Sequence, residues 1–81
     1  MKARTTHQFD GVYAKAPVAI QKAFDRKLEL LLQNLLHPSL RAKKYDEAQN
    51  LWQARVTGGW RFYFTIEGDT YILHSIRSHP K

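Results

Sequence analysis

Residues 51–79, LWQARVTGGWRFYFTIEGDTYILHSIRSH, decide the fold. Trp, Tyr, Phe, Val, Ile and Thr concentrate in this stretch, and a Gly-Gly pair and a Gly-Asp step punctuate it, so it reads as three consecutive β-strands. Trp52, Ala54 and Val56 alternate with Gln53, Arg55 and Thr57. In the next run Trp60, Phe62, Phe64 and Ile66 alternate with Arg61, Tyr63, Thr65 and Glu67. Successive side chains of a strand point to opposite faces, so the first set of each run supplies a core. The second set makes an open polar face that carries guanidinium groups, and function is expected there.

The connection at Gly58-Gly59 sets the register. A two-residue turn would put Val56 and Arg61 on one face and mix the two patterns. A three-residue turn, Thr57 to Gly59, with a glycine in a left-handed bulge keeps the apolar face unbroken. On this reading Val56 pairs with Phe62, Arg55 pairs with Tyr63, and Arg55 lies beside Arg61. In the third strand Tyr71 and Leu73 share one parity while Ile72 and Ile76 share the other. A bulge near His74 is therefore expected, and the face taken by Arg77 and His79 stays open.

Upstream, residues 3–7, ARTTH, form a short candidate strand. Phe9, Val12 and Tyr13 fall at helical spacing and suggest a short helix that stops near Lys15-Ala16. Pro17 suits the first turn of a second helix, where its missing N–H costs nothing. Ile20, Phe24, Leu28, Leu31 and Leu35 then mark the stripe of an amphipathic helix running to Leu36, with His37-Pro38 ending it. That stripe belongs on the apolar face of the sheet. Residues 37–50, HPSLRAKKYDEAQN, read as a polar connector. The expected architecture is α+β, ordered β-α-α-β-β-β, a single small domain over residues 1–81 with a mostly antiparallel sheet and two helices on one face.

At 81 residues the chain can hold one modest core. It has no cysteine, which excludes a disulfide framework and thiolate metal sites and fits a reducing, intracellular setting. No apolar run approaches the roughly 20 residues of a membrane span, and the N-terminal MKARTTHQFDG lacks a signal-peptide core, so a cytoplasmic location is expected. A hydrophobic content of 43% excludes a disordered basic tail. The net charge of +6 serves solubility or answers a polyanion, and arginines inside aromatic strands favour the polyanion.

Phosphate loops, zinc-ligand spacing and nucleophile elbows are absent from the sequence, and its seven carboxylates fall mostly on the helix and connector. The four histidines, His7, His37, His74 and His79, lack metal-like spacing, and no cofactor is expected. What remains is a basic set: Lys43, Lys44, Arg55, Arg61 and Arg77, with His79. Arginine offers a rigid fork matching phosphate oxygens, and histidine gives or takes a proton near neutrality. Together they suit metal-independent RNA cleavage, in which the 2′-hydroxyl attacks its own phosphate, arginines hold the developing charge and histidine protonates the leaving oxygen. The blander reading makes Arg55 and Arg61 a solvated sheet face, His79 a frayed bystander and Trp52 and Trp60 core residues. Trp52 and Trp60 are the aromatic candidates for stacking on a base, with core packing favoured for Trp52.

The runs PVAIQKAFDRKLELLLQN, HPSLRAKKY, LWQARVTGGWRFYFTI and ILHSIRSH resemble the RelE/ParE superfamily of toxins from bacterial type II toxin-antitoxin pairs, over nearly the whole chain. The most specific parts are the Trp60-Arg61 step and the terminal strand ending in His79. The resemblance implies a compact α+β domain, a cognate acidic antitoxin as partner, and mRNA as substrate, usually on the ribosome. It places Arg61 at the scissile phosphate, Arg55 at a basic position of the nuclease branch and His79 at its terminal basic position. Lys43-Lys44 matches the basic connector before the second strand. Gln53 departs from the pattern where one subgroup has lysine, and no tyrosine follows His79, where nuclease members commonly stack one on the substrate base. Tyr63 or Trp60 would have to substitute. The alternatives on the same fold are a non-enzymatic DNA gyrase inhibitor and an inert RNA-binding module.

Overall fold

A computed structural model describes residues 1–79 of the chain. Strand β1, Lys2–Thr5, leads into helix α1, His7–Lys15. Thr6 caps that helix: its side chain accepts the Phe9 N–H at 3.0 Å, which satisfies a backbone donor the first turn would leave unpaired. Helix α2, Val18–Gln33, follows Pro17, and after it come a 3₁₀ turn at Pro38–Leu40 and strands β2 (Lys43–Asp46), β3 (Leu51–Thr57), β4 (Trp60–Glu67) and β5 (Thr70–Ser78). The five strands make one sheet in the order β1-β5-β4-β3-β2. β1 runs parallel to β5, and the other neighbours are antiparallel.

The α+β architecture agrees with the sequence reading, with helices against the apolar face of the sheet. Phe24 and Leu31 of the expected stripe are buried, while Ile20, Leu28 and Leu35 pack around them. Phe24 meets Phe62 edge-on at 5.1 Å, Phe9 lies 5.2 Å from Phe24, and Phe64 meets Tyr71 edge-on at 5.5 Å. A chain of tilted rings thus joins both helices to β4 and β5, with the offset geometry that aromatic quadrupoles favour.

Four details correct the expectations. The connector is not irregular throughout: Lys43–Asp46 forms the edge strand β2, too short and too charged to show an apolar period. Helix α2 stops at Gln33, not Leu36, because the Asn34 side chain accepts the Leu36 N–H at 3.0 Å and so competes with further helix. In the β3–β4 hairpin Arg55 pairs with Arg61, Ala54 with Phe62 and Gln53 with Tyr63, two residues away from the expected Val56–Phe62 and Arg55–Tyr63 pairs. Faces are conserved because the slip is even. Finally, Thr57 pairs with Trp60 across Gly58-Gly59, and the register shifts between Arg55 and Thr57. A two-residue turn plus a bulge at Val56 therefore replaces the three-residue loop, and among the glycines only Gly68 takes a positive φ, of 60°.

The bulge expected near His74 is present: Tyr63 pairs with Ser75 and Phe64 with Leu73, which leaves His74 as the extra residue. Leu73 and Ile76 consequently both reach the core, at 0% and 2% exposure. Arg77, directly opposite Arg61, turns to the open face.

Candidate functional site

The register lines up a row of cations. Arg55 on β3, Arg61 on β4 and Arg77 on β5 are direct cross-strand neighbours, and the adjacent row holds Lys43, Gln53, Tyr63 and Ser75. Residues directly opposite one another share a face, so both rows lie on the side away from the helices. At one end of that face a cleft of about 390 Å³ is lined by Arg41, Lys43, Arg55, Arg61 and His79, with Gln53 in its wall. β5 carries His79 to the rim, since the His79 N–H donates to the Gly59 carbonyl at 2.7 Å and extends the ladder past Ser78.

Each arginine is held differently. The Arg61 side chain folds back on its own hairpin, and Nη1 donates to the carbonyls of Thr57 (2.7 Å), Gly58 (3.2 Å) and Trp60 (3.0 Å). This fastens one end of the guanidinium and leaves its Nε–Nη2 edge as a fork of two parallel donors. Arg55 is half-buried, and its Nε has no hydrogen-bond partner among the described residues. The charge of Arg41, then burial, then the charge of Arg61 all push the Arg55 guanidinium below the usual arginine range. Arg77 leans the other way: its Nε donates to Ser75 Oγ at 3.1 Å and its guanidinium lies 5.1 Å from the Tyr63 ring centre, outside the cleft lining.

Among the described residues no carboxylate pairs with this group of cations. Among the described residues the ion pairs are Arg4 with Glu67 at 3.9 Å and Lys44 with Glu47 at 4.0 Å, both away from the cleft. Like charges set side by side on a sheet cost stability unless an anion sits between them. The field reaches Lys27 on α2, whose ammonium is pushed below its ordinary range by burial and then by Arg55. An unpaired, partly desolvated group of guanidinium ions with an imidazole at its rim can hold a phosphate and pass a proton to or from it.

The structure gathers Arg55, Arg61, His79 and Lys43 from the residues singled out in the sequence and separates the others. Lys44 points to the opposite face, with its ammonium 5.5 Å from the Trp52 ring centre and hydrogen-bonded to Asn50. Trp60 packs at the border of the core on the helix side. Tyr63 is on the open face but only 6% exposed, with Arg77 over its ring and its hydroxyl accepting from Gln53 Nε2 at 3.1 Å. It serves as a floor under the basic row, not as a free platform. Gln53, the uncharged position, braces Tyr63 and has Lys43 directly across from it on β2. The stretch beyond His79, where the sequence departs from the family pattern, lies outside the described residues.

Two residues on this side of the sheet, Arg41 in the cleft lining and Tyr45 beside it, stand outside the candidate set read from the sequence. Arg41 caps the 3₁₀ turn with φ 47° and ψ 43°, a left-handed conformation that nothing in SLRA announces. Tyr45 sits on β2 with its ring centre 5.1 Å from that of Tyr63 and is 57% exposed. Tyr45 is the extra residue where the β2–β3 register shifts between Lys44 and Asp46, a placement that no alternation in KKYD announces.

No protein-family model matches the sequence, and no curated protein matches it. Solved structures do. A YoeB/ParE toxin from Agrobacterium tumefaciens superposes with a TM-score of 0.81 at 14% identity, covering 99% of this chain and 100% of that one. A RelB-RelE antitoxin-toxin complex from Methanococcus jannaschii matches with a TM-score of 0.74 at 24% identity, covering 91% of this chain and 87% of that one. The isolated RelE toxin of E. coli gives a TM-score of 0.77 at 10% identity, over 99% and 85% of the two chains. The chain has the fold of the RelE, YoeB and YafQ toxins, as the sequence resemblance implied.

Proposed function

We propose that this RelE-like domain is the toxin of a type II toxin-antitoxin pair and that it cleaves mRNA on the ribosome, in the cytoplasm, by metal-independent transesterification. The observation that carries the reading is the cleft in which Arg41, Lys43, Arg55, Arg61 and His79 converge without a carboxylate partner among the described residues. In the reaction the 2′-hydroxyl gives up its proton to solvent, its oxygen attacks the adjacent phosphorus and the bond to the 5′-oxygen breaks, giving a cyclic phosphate and, once that oxygen is protonated, a free 5′-hydroxyl. Arg61 receives two phosphate oxygens on its Nε–Nη2 edge, Arg55 and Arg41 hold the charge that builds, and His79 delivers a proton to the departing oxygen. Lys43, directly across from Gln53 on β2, supplies a charge next to the position where one nuclease subgroup has lysine. An acidic antitoxin segment would cover this same face, as charge complementarity on a +6 domain favours. Relatives of this fold are known in complex with RelB or YefM antitoxins.

The test is cleavage of mRNA on purified ribosomes beside a thermal melt of each variant. Arg61→Ala should lower the rate about 10²–10³-fold. His79→Gln should lower it about 10²–10⁴-fold. Arg61→Lys should not restore the rate, since an ammonium lacks the bidentate fork. Arg61→Ala should also cost about 1 kcal/mol of stability, because Nη1 bonds the turn carbonyls. A folded His79→Gln protein that cuts at the wild-type rate removes histidine from the mechanism. Growth arrest with continuing translation and broken DNA would replace the whole reading with gyrase inhibition.

A further inference from the structure

Four large apolar side chains are exposed among the described residues: Met1 (54%), Val18 (64%), Leu36 (78%) and Tyr45 (57%). Met1 begins the chain, Val18 opens α2 and Leu36 follows the end of α2, so these three are scattered, as single exposed apolar residues commonly are. Tyr45 differs in three respects. It lies on the open face, it is held against the buried Tyr63 at 5.1 Å with the rings at 72°, and two residues before it on the same strand stands Lys43, in the lining of the basic cleft.

We propose that Tyr45 is a base-stacking residue, placing one unpaired base of a single-stranded nucleic acid whose phosphate occupies the Arg41–Arg55–Arg61 cleft. Every base has a π-face, and an aromatic ring beside a cationic groove is how single strands are held without dependence on one sequence. Lys43 and Tyr45 are two residues apart, with a bulge at Tyr45, so their backbones stand at most about 7 Å from each other, a separation a base and a nearby phosphate of one strand can span. Packing against Tyr63 orients the ring in advance. Tyr63 is in turn fixed by the Gln53 amide and covered by Arg77, so little conformational freedom is lost on stacking. A base is favoured over an apolar peptide anchor because the ring stands alone among charged and polar neighbours: Lys43 and Asp46 on its own strand and Glu47 after it.

This inference deepens the ribonuclease reading and rests on it for the substrate, but its test is binding, not cleavage. The affinity of wild-type protein and of Tyr45→Ala, Tyr45→Phe and Arg55→Gln is measured by fluorescence anisotropy with a labelled single-stranded RNA made non-cleavable by 2′-deoxy sugars. A series of the same oligonucleotide with one abasic site moved along it completes the set. Tyr45→Ala should bind roughly tenfold more weakly, with an unchanged dependence on salt concentration, and Tyr45→Phe should bind as wild type. Arg55→Gln should instead flatten the salt dependence. Removing the base at one position should weaken wild type by the same factor and leave Tyr45→Ala unaffected. Undiminished affinity of a folded Tyr45→Ala protein, or equal sensitivity of both proteins to every abasic site, overturns the proposal and leaves Tyr45 as a contact for a protein partner. Normal binding with no cleavage of ribosomal mRNA would sink the ribonuclease reading while sustaining this one.

Discussion

Arg41 occupies a backbone conformation, φ 47° and ψ 43°, that L side chains adopt at a cost of roughly 1–2 kcal/mol. Glycine at that position would relieve the crowding, though its freer unfolded chain returns part of the gain. A charged side chain there faces Arg55 across the cleft and is the largest influence on it. Stability and charge placement are therefore opposed at one residue. Arg41→Gly should raise the stability by up to about 1 kcal/mol, a rise in Tm of some 4–8 °C for a domain of this size, while RNA affinity and cleavage fall. Paired thermal melts and binding titrations check it. A variant that loses stability as well as activity would assign Arg41 a structural role.

At the scale of the element, β5 decides whether the C-terminal cations belong to the site. The extra residue His74 sits between Leu73 and Ser75, its ring bonded to Thr65 Oγ1 at 2.9 Å. Without it, Leu73, Ser75, Ile76 and Arg77 would alternate inward and outward as an unbroken strand, with the faces unchanged. Deleting His74 should therefore be tolerated, with the loss of one hydrogen bond and a stability change of about 1–2 kcal/mol. Inserting one alanine between Ser75 and Ile76 should be far worse. It turns Ile76 outward and Arg77 toward the aromatic core, and burying an unpaired guanidinium costs several kcal/mol. Circular dichroism and the melting temperature of the two variants measure the difference. Equal damage from both would show that strand length, not parity, is what β5 must keep.

The whole molecule carries +6, and its cleft concentrates cations without carboxylates among the described residues. Such a domain is stabilised by any anion that binds the folded form alone. At equal ionic strength, phosphate or sulfate should raise the melting temperature above its value in chloride, and Arg55→Gln should reduce the increment. Binding of single-stranded RNA should weaken with salt at a slope of about −0.7 per phosphate engaged, hence near −3 if Arg41, Lys43, Arg55 and Arg61 each take one. Titrations between low and physiological salt give the slope. A value near zero would mean that the cleft is not the binding surface.

The sequence by itself determined the helices, the three C-terminal strands and the parity of their faces, because alternation and the helical stripe are local consequences of backbone geometry. Even the bulge at His74 was legible, as a change of parity between Leu73 and Ile76. It also marked Arg55, Arg61 and His79, since guanidinium and imidazole groups within aromatic strands stand out chemically. It did not reveal β2, whose four residues KKYD carry no apolar period and are held as a strand only by pairing with β3. With β2 hidden, Lys43 and Lys44 read as one basic pair, whereas the pleat sends Lys43 to the cleft and Lys44 over Trp52. Arg41 in the cleft and Tyr45 on the open face were hidden for the same reason: their places follow from a turn and an edge strand that long-range pairing creates. The residues able to do chemistry are written in the chain, and which of them share a face is settled by cross-strand register, a property of two segments at once.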